Sequence, residues 1–336
     1  MGALTVDHFV PRRASADDLA DWSAIFSAGQ SEASGGSVDV ASLAARLLAD
    51  DDQTVLRWVA RRPLGGPILG VAELRPQPQE PRLGYLRLFV TPPARRTGVG
   101  STLLRPVLRG APAAGFDRIQ GTVLAGPPGE PFARACPGLR VVLRLEIQEQ
   151  SLDASVLRRC REMAGKPRPG YRLVHWGEAA PDPLAASFGQ VMAHVLDAPG
   201  AMFQMAARNW DVPKVRAWEA KMTAGGRHLL VCAAVDLASE KVVAATVATV
   251  PASGGPVADQ HDTAVMPAHR QRGLARWIKA DQAVHLHESF PDVAKVAVTL
   301  NQQNHPMISV NRTLGYRPVR ERLLVELPVR QVASSR

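Results

Sequence analysis

Two short segments of the chain combine arginine and glycine in the same order. Arg95–Gly100 reads Arg-Arg-Thr-Gly-Val-Gly, and Arg270–Ala275 reads Arg-Gln-Arg-Gly-Leu-Ala, so both fit Arg-x-x-Gly-x-Gly/Ala. A glycine turn at the start of a helix directs several unpaired backbone N–H groups at one point, where the helix dipole also favours an anion. Small residues let a phosphate reach the backbone, and arginine adds positive charge. The pattern therefore predicts two binding sites for a diphosphate.

Each segment lies between a predicted strand and a predicted helix. Strands are predicted over Tyr85–Val90 and Asp262–Val265. A helix is predicted over Ser101–Leu108, where Pro106 is expected to kink or shorten it, and another over Gly273–Phe290. The two segments lie about half the chain apart, which indicates two copies of one domain rather than a short-period repeat.

The length of the chain fits two domains. Its 336 residues, 46% of them hydrophobic, are enough for two separate cores. The stretch Lys166–Gly170 contains two prolines and a glycine, which is typical of a boundary. We expect a first domain over 1–150, a linker helix and boundary over 151–170, a second domain over 171–330 and a tail over 331–336.

Composition argues against several classes of partner. The net charge of +9 comes mostly from scattered arginine, without the basic and aromatic runs that a nucleic-acid groove needs. No apolar run approaches the roughly 18 residues of a membrane span, and the N-terminus lacks the apolar core of a secretion signal. The 3 cysteines are widely spaced and form no metal or disulfide pattern. We expect a cytoplasmic monomer or homodimer with no nucleic acid, membrane or metal partner.

Two other phosphate-binding motifs fit less well. The dinucleotide-binding motif follows the first strand of its domain and has an acidic residue about 20 residues later. The segments here lie in the middle of each half and begin with arginine. The lysine followed by serine or threonine that marks a P-loop is absent from both: Ser101 has no lysine before it, and Ala275 is followed by Arg276.

Both halves resemble domains of the GCN5-related N-acetyltransferase (GNAT) family, and the whole chain resembles a tandem GNAT protein, an arrangement found in mycothiol synthases. In that family Arg/Gln-x-x-Gly-x-Gly/Ala follows the fourth strand and binds the diphosphate of acetyl-CoA. A later segment of the second half is similar to the family's segment beside the pantetheine arm; it contains Asn301, Asn304, Met307, Asn311 and Leu314-Gly315-Tyr316. The resemblance implies an α/β (α+β) fold of two tandem GNAT domains, each a mixed, mostly antiparallel central sheet flanked by helices.

The resemblance also implies acetyl-CoA as co-substrate and no metal. Backbone N–H groups near Val90 and Val265 are expected to face the thioester carbonyl, and the two asparagines Asn301 and Asn304 either hydrogen-bond the pantetheine amides or only stabilise a turn. The expected cofactor-binding residues are Val90, Arg95, Arg96, Thr97, Gly98, Val99, Gly100 and Ser101 in the first half, and Val265, Arg270, Gln271, Arg272, Gly273, Leu274, Ala275, Asn301 and Asn304 in the second.

Catalysis is expected in the second half, which offers candidate bases. An amine must be neutral to attack a thioester, and Asp262 lies on the strand that leads into the second motif. Its neighbour His261 is a further candidate, but adjacent strand residues face opposite sides, so only one of the two can line a pocket. Glu288 is a third candidate, near the end of an exposed helix.

The sequence does not decide which group protonates the CoA thiolate as general acid. Asn311 stands near the place where many relatives have a tyrosine that protonates the CoA thiolate. An amide can hydrogen-bond a thiolate without protonating it, so a water or Tyr316 could supply the proton, or the thiolate leaves unaided. In the first half Arg87 takes the place of Asp262, so this half either binds acetyl-CoA without catalysing or only supports its partner domain.

The hypothesis is acetyl-CoA-dependent transfer of an acetyl group to a primary amine of a small metabolite, a natural product or a peptide N-terminus. Direct attack in a ternary complex is expected, because no nucleophile with a paired base is evident. One alternative is acetylation of a cysteinyl glycoside, as in mycothiol synthase. An alternative of another class is a non-catalytic acyl-CoA sensor or scaffold.

Overall fold

The computed structural model describes residues 4–34, 40–50, 52, 54–63, 65–77, 80–199, 210–224 and 226–329. The expected tail, 331–336, lies outside these ranges. The chain divides into two compact units, unit 1 over Met1–Leu143 and Arg322–Arg336 and unit 2 over Arg144–Glu321. Among the described helices, none has the length and apolar character needed to cross a membrane.

Both units contain strands and helices. The strands are β1 (Thr5–His8), β2 (Leu56–Arg61), β3 (Ile68–Gln77), β4 (Glu80–Val90), β5 (Arg118–Leu124), β6 (Arg140–Ser151), β7 (Tyr171–Trp176), β8 (Arg227–Asp236), β9 (Lys241–Pro251), β10 (Val257–Val265), β11 (Lys295–Asn301) and β12 (Arg317–Pro328). The α-helices are α1 (Ala16–Ser34), α2 (Val40–Ala49), α3 (Val99–Ala113), α4 (Gly129–Arg134), α5 (Ala154–Ala164), α6 (Asp182–Ala193), α7 (Val212–Thr223), α8 (Leu274–Ser289) and α9 (His305–Thr313).

The sheet of unit 1 has the strand order β1-β2-β3-β4-β5-β12. Neighbouring strands are antiparallel except β4 and β5, which are parallel. Helix α3 connects this parallel pair and packs on the sheet through Val99, Leu103, Val107 and Ala111, which are buried. The helix begins directly at the first glycine motif, so its packing fixes the position of that motif.

The sheet of unit 2 repeats this order as β7-β8-β9-β10-β11-β6. Its neighbours are antiparallel except β10 and β11. Helix α8 connects the parallel pair and begins at the second glycine motif. The expected fold of two similar, mostly antiparallel mixed sheets with flanking helices is confirmed.

In each sheet, the last strand lies outside the stretch of sequence that supplies the other five strands. Leu145–Ser151 of β6 pairs with β11 in unit 2, and Arg322–Pro328 of β12 pairs with β5 in unit 1. The compact units therefore differ at these two strands from domains over 1–150 and 171–330. The segment 151–170, expected to be a linker helix and boundary, contains α5. Asp153 caps the first turn of α5 by accepting bonds from Ser155 N at 2.9 Å and Val156 N at 3.0 Å.

Candidate functional site

The two glycine motifs have the same backbone conformation. In unit 1, Arg96 and Gly98 have φ of 64° and 91°, and Gly98 is the residue that precedes α3. In unit 2, Gln271 and Gly273 have φ of 62° and 76°, and Gly273 precedes α8 in the same way. Two left-handed residues separated by one residue turn the chain sharply into the helix. The backbone therefore presents two equivalent helix N-termini, each preceded by one tight turn.

The leading arginine of each motif holds the loop to the strand before it. Arg95 Nε donates to Val90 O at 3.1 Å, and Arg270 Nε donates to Val265 O at 3.1 Å. Each guanidinium also pairs with a carboxylate, Glu32 at 2.6 Å in unit 1 and Asp197 at 2.5 Å in unit 2. These two arginines are engaged with protein groups, which leaves the diphosphate of the expected ligand mainly to backbone N–H groups.

The other motif residues divide into exposed and buried positions. Val99 and Leu274 are buried, so each can offer a ligand only its backbone. Arg96 and Ser101 are exposed beside the first helix N-terminus. Arg272 is exposed beside the second and donates to Tyr171 Oη at 2.7 Å. The remaining predicted residues are near the loop surface: Thr97, Gly98, Gly100, Gln271, Gly273 and Ala275.

In unit 1 the parallel strands separate and enclose a cavity. Pairing of β4 with β5 is confined to Leu83–Tyr85 against Arg118–Gln120. Beyond these pairs a cavity of about 600 Å³ opens, and it reaches the motif loop. Its walls are mostly apolar and include Leu86, Leu88 and Val90 of β4, Gly121–Leu124 of β5, Phe132 and Cys136 after the motif helix, and Arg95, Arg96, Gly98, Gly100 and Ser101 of the motif. The cavity can hold an extended, mostly apolar chain whose anionic end lies at the helix N-terminus.

The backbone of Val90 faces the side of β4 on which this gap lies. Thr91 N donates to Leu69 O of the β3 side at 2.9 Å. Successive residues of a strand direct their N–H groups to opposite edges, so the N–H and C=O of Val90 point away from β3. In unit 2, Met266 N donates to Val243 O at 2.8 Å, so Val265 points away from β9 in the same way. The N–H and C=O groups of Val90 and Val265, the two residues expected to face the thioester, therefore point to the edge of their strand opposite β3 or β9.

In unit 2 the fourth strand carries an irregularity where the parallel pair ends. Pairing of β10 with β11 covers Val257–Asp259, and the register of β10 against β9 shifts between Gln260 and Thr263. His261 and Asp262 occupy this bulge. Asp262 is half-buried, whereas His261 is exposed and its Nε2 lies 2.7 Å from Thr249 Oγ1. A bulge re-aims the side chains of its strand, which is consistent with a functional position for Asp262.

The two other predicted catalytic residues are enclosed. Asn311 is completely buried, and its Nδ2 donates to Gln148 Oε1 at 2.8 Å. Tyr316 is 5% exposed within an apolar cluster, and burial raises its pKa. The Nζ atom of buried Lys279 lies 5.0 Å from the centre of the Tyr316 ring. Neither Asn311 nor Tyr316 is presented to solvent as a proton donor.

The two predicted asparagines stabilise the turn before α9. Asn301 Nδ2 donates to Pro199 O at 2.9 Å, and its Oδ1 accepts from Gln303 N at 3.1 Å. Asn304 caps α9 through a bond from Met307 N at 3.3 Å. The bonds from Gln303 N and Met307 N are those of the turn interpretation, and the role at the pantetheine amides remains a prediction.

Sequence reasoning missed a carboxylate in unit 1. The first half has Arg87 where the second half has Asp262. Glu73 lies directly opposite Arg87 on β3. Glu73 is buried and pairs with Arg57 at 3.0 Å and with Arg87 at 3.6 Å. The signal was the acidic residue within an apolar strand. A third arginine, Arg75, lies 3.3 Å from the same carboxylate, so three guanidinium groups surround Glu73.

Comparison with known proteins agrees with the geometry. Residues 22–135 match the model of the Acetyltransferase (GNAT) family. A tandem GNAT protein from the clavulanic acid biosynthesis pathway has a similar structure, with TM-score 0.74, 22% identity, and coverage of 97% of this chain and 99% of that one. A GCN5-related N-acetyltransferase from Sphaerobacter thermophilus has TM-score 0.63 at 13% identity, covering 97% of this chain and 96% of that one. A comparison with curated protein sequences gave no match.

A third similar structure is a GCN5-related glucosamine N-acetyltransferase region of a fungal multi-domain β-N-acetylglucosaminidase. Its TM-score is 0.60 at 14% identity, and the similarity covers 97% of this chain and 38% of that one. The chain thus has the fold of tandem GNAT proteins, and its residues 22–135 carry the match to the GNAT family. The family match lies in the first half, and the fold extends the similarity over the second.

Proposed function

We propose that the protein transfers the acetyl group of acetyl-CoA to a primary amine of a small molecule or a peptide N-terminus. The observation that carries this proposal is the combination found in unit 1, where a glycine motif at a helix N-terminus opens into a cavity between diverging parallel strands. The diphosphate fits the first-turn N–H groups of α3, and the pantetheine arm fits the apolar gap.

We place the chemical step in unit 2, where Asp262 occupies the bulge of β10. A carboxylate at this position can take a proton from the acceptor's ammonium group before attack, or from the amine as it attacks, directly or through water. The backbone N–H of Val265 is proposed to stabilise the developing oxyanion, as Val90 would in unit 1. The enclosed positions of Asn311 and Tyr316 favour water as the proton donor to the CoA thiolate.

The acceptor is proposed to be a small amine of biosynthetic metabolism. One similar tandem protein belongs to clavulanic acid biosynthesis, and another similar region acts on glucosamine. The amine panel should therefore contain amino sugars, amino acids, β-lactam precursors with a free amine, a cysteinyl glycoside and a short peptide.

The test is release of CoA thiol by the full chain with acetyl-CoA and each amine. The replacement Asp262→Asn should lower kcat about a hundredfold or more. The control Asp259→Asn removes a carboxylate of the same strand that pairs with Arg227, and it should leave kcat within about threefold. Equal rates for wild type and Asp262→Asn would overturn the assignment of the base.

A non-catalytic acyl-CoA sensor is the second candidate. It is favoured by the enclosed Asn311 and Tyr316 and by the arginines that surround Glu73. Binding of CoA without thiol release for every amine of the panel would favour the sensor. Absence of CoA binding would contradict both functions.

A further inference from the structure

Four side chains with metal-binding atoms meet on one face of unit 2. His175 of β7 and Cys232 of β8 are direct partners across the two antiparallel strands, so their side chains share a face. Asp281 and His285 lie one helical turn apart on α8 and also share a face. A cross-strand pair therefore opposes a helical pair, and none of these residues belongs to the motif loop or to the bulge of β10.

The contacts among these residues are short. His175 Nε2 lies 2.5 Å from Asp281 Oδ2, and Cys232 Sγ lies 3.6 Å from the same oxygen. The ligand atoms of His175, Cys232 and Asp281 all fall within 4.8 Å of one another. The His285 ring lies beside that of His175, with centroids 4.6 Å apart. One ion placed among the three ligand atoms needs only small side-chain movements to contact all of them.

We propose that His175, Cys232 and Asp281 bind a zinc ion. Imidazole, thiolate and carboxylate are the ligands that zinc takes in proteins, and a set containing thiolate disfavours magnesium and calcium. The side chains of His175 and Asp281 are 31% and 22% exposed, so the ion has a path from solvent, and a water beside His285 can fill the fourth position. Binding displaces the thiol proton of Cys232 to solvent.

Cys232 is completely buried, and it binds a metal ion as the thiolate. Burial and the neighbouring Asp281 carboxylate both raise the pKa of this thiol. A divalent cation reverses the repulsion between thiolate and carboxylate, because it is the largest local charge. Such an ion would join α8, which begins at the second glycine motif, to β7 and β8.

The sequence alone did not indicate this site. The three ligands are separated by tens of residues and come from two strands and a helix. No short ligand spacing marks them, and only the register of β7 against β8 and the packing of α8 bring them together.

The experiment uses the full chain, freed of metal with a chelator and titrated with Co²⁺ as a spectroscopic substitute for zinc. We expect one equivalent of Co²⁺ to give thiolate-to-cobalt charge-transfer absorption in the near ultraviolet, and Zn²⁺ to displace it. Zn²⁺ should also raise the melting temperature of the metal-free protein. The absence of a charge-transfer band in the wild type would overturn the proposal.

Two variants and two controls identify the ligands. Cys232→Ser should remove the charge-transfer band, and His175→Gln, at a partly exposed position of an edge strand, should weaken Zn²⁺ binding at least about tenfold without disturbing the core. Cys160→Ser replaces another fully buried cysteine of unit 2, and His228→Gln replaces an exposed histidine of β8; both should bind as the wild type does. A band that persists in Cys232→Ser, unchanged affinity in His175→Gln, or equal loss in a control would show that the cluster is only an ion pair.

Discussion

Arg95 is bonded to the carbonyl oxygen of Val90 through Nε at 3.1 Å, and this contact joins the end of a strand to the turn that starts the next helix. The same contact recurs at the same distance between Arg270 and Val265. The carbonyl and N–H of Val90 lie on the edge of β4 that faces the cavity. The arginine therefore fixes the distance between the place proposed for the thioester and the place proposed for the diphosphate.

Replacement of Gly98 by aspartate should abolish CoA binding in unit 1. The new carboxylate would stand at the helix N-terminus, where like charges about 4 Å apart repel by about 4 kcal/mol at an effective dielectric constant near 20. This is roughly a thousandfold in affinity, and calorimetric titration with CoA measures it.

The matched control for that variant is Gly115→Asp. Gly115 has φ of 87°, close to the 91° of Gly98, and neither glycine has a neighbouring atom within 4 Å of an added Cβ. In both variants the aspartate must adopt a left-handed backbone conformation, which costs about 1–2 kcal/mol in each. If Gly115→Asp loses CoA to the same degree, strain and not charge is the cause, and the diphosphate site is misplaced.

CoA should protect Cys136 from alkylation. This cysteine lines the cavity and is half-buried, and burial raises its pKa, so labelling by N-ethylmaleimide is slow at neutral pH. Cys160 and Cys232 are completely buried, so they label more slowly still. At a CoA concentration of about 100 times Kd, the labelling rate should fall roughly a hundredfold.

Mass spectrometry of the labelled protein identifies the cysteine, and Cys136→Ser shows the background. The Gly98→Asp variant supplies the control for binding, because it keeps Cys136 and loses the diphosphate site. Protection of Cys136 by CoA in that variant would contradict the proposed orientation of the ligand.

How much the sequence could predict is visible at the motif helices. The strand, glycine turn and helix at each motif were predicted, since the turn residues and apolar spacing are local. Of the two effects expected of Pro106, a kink or a shorter helix, the shortening does not occur, because α3 continues to Ala113. Buried Val99, Leu103, Val107 and Ala111 recur every four residues, and their packing on the sheet outweighs the lost hydrogen bond of the proline.

Long-range neighbours set the limit of sequence prediction at Asn311. Its position in the sequence favoured a role at the thiolate, but its amide is bonded to Gln148, 163 residues earlier. That contact exists only because β6 pairs with β11. Strand β6 belongs to unit 2 and β12 to unit 1 for the same reason, since each pairs with a strand distant in the sequence. No local pattern reveals such a pairing.

Asn311→Ala should affect stability more than chemistry. The change leaves the Gln148 side chain in the interior without its amide partner, which costs about 1–3 kcal/mol in free energy of unfolding. Denaturant unfolding measures this loss, and steady-state kinetics on the folded variant should show kcat within about threefold of the wild type. Unchanged stability with a large fall in kcat would restore Asn311 as a group that acts on the thiolate.

Buried Lys279 should make unit 2 more stable as the pH rises above neutrality. Burial lowers its pKa to about 7, whereas in the unfolded chain it stays near 10.5. Between these values the unfolded state binds more protons than the folded state, so stability increases with pH. From pH 7 to pH 9 the increase expected from this residue is about 2 kcal/mol, reduced to the extent that the Tyr316 ring favours the charged ammonium.

Lys279→Met keeps the length of the side chain and removes the titrating group. The difference in free energy of unfolding between the variant and the wild type should be largest near pH 6, in favour of the variant, and should shrink as the pH approaches 9, because the lysine is then neutral in the folded protein. Measurements stay below about pH 10, where the Tyr316 hydroxyl, whose pKa burial raises, would add a change of the opposite sign. Lys295→Met is the control, since Lys295 pairs with Glu149 at an exposed position. A constant difference between Lys279→Met and wild type across this range would mean that the Lys279 ammonium remains charged in the fold, held by the Tyr316 ring.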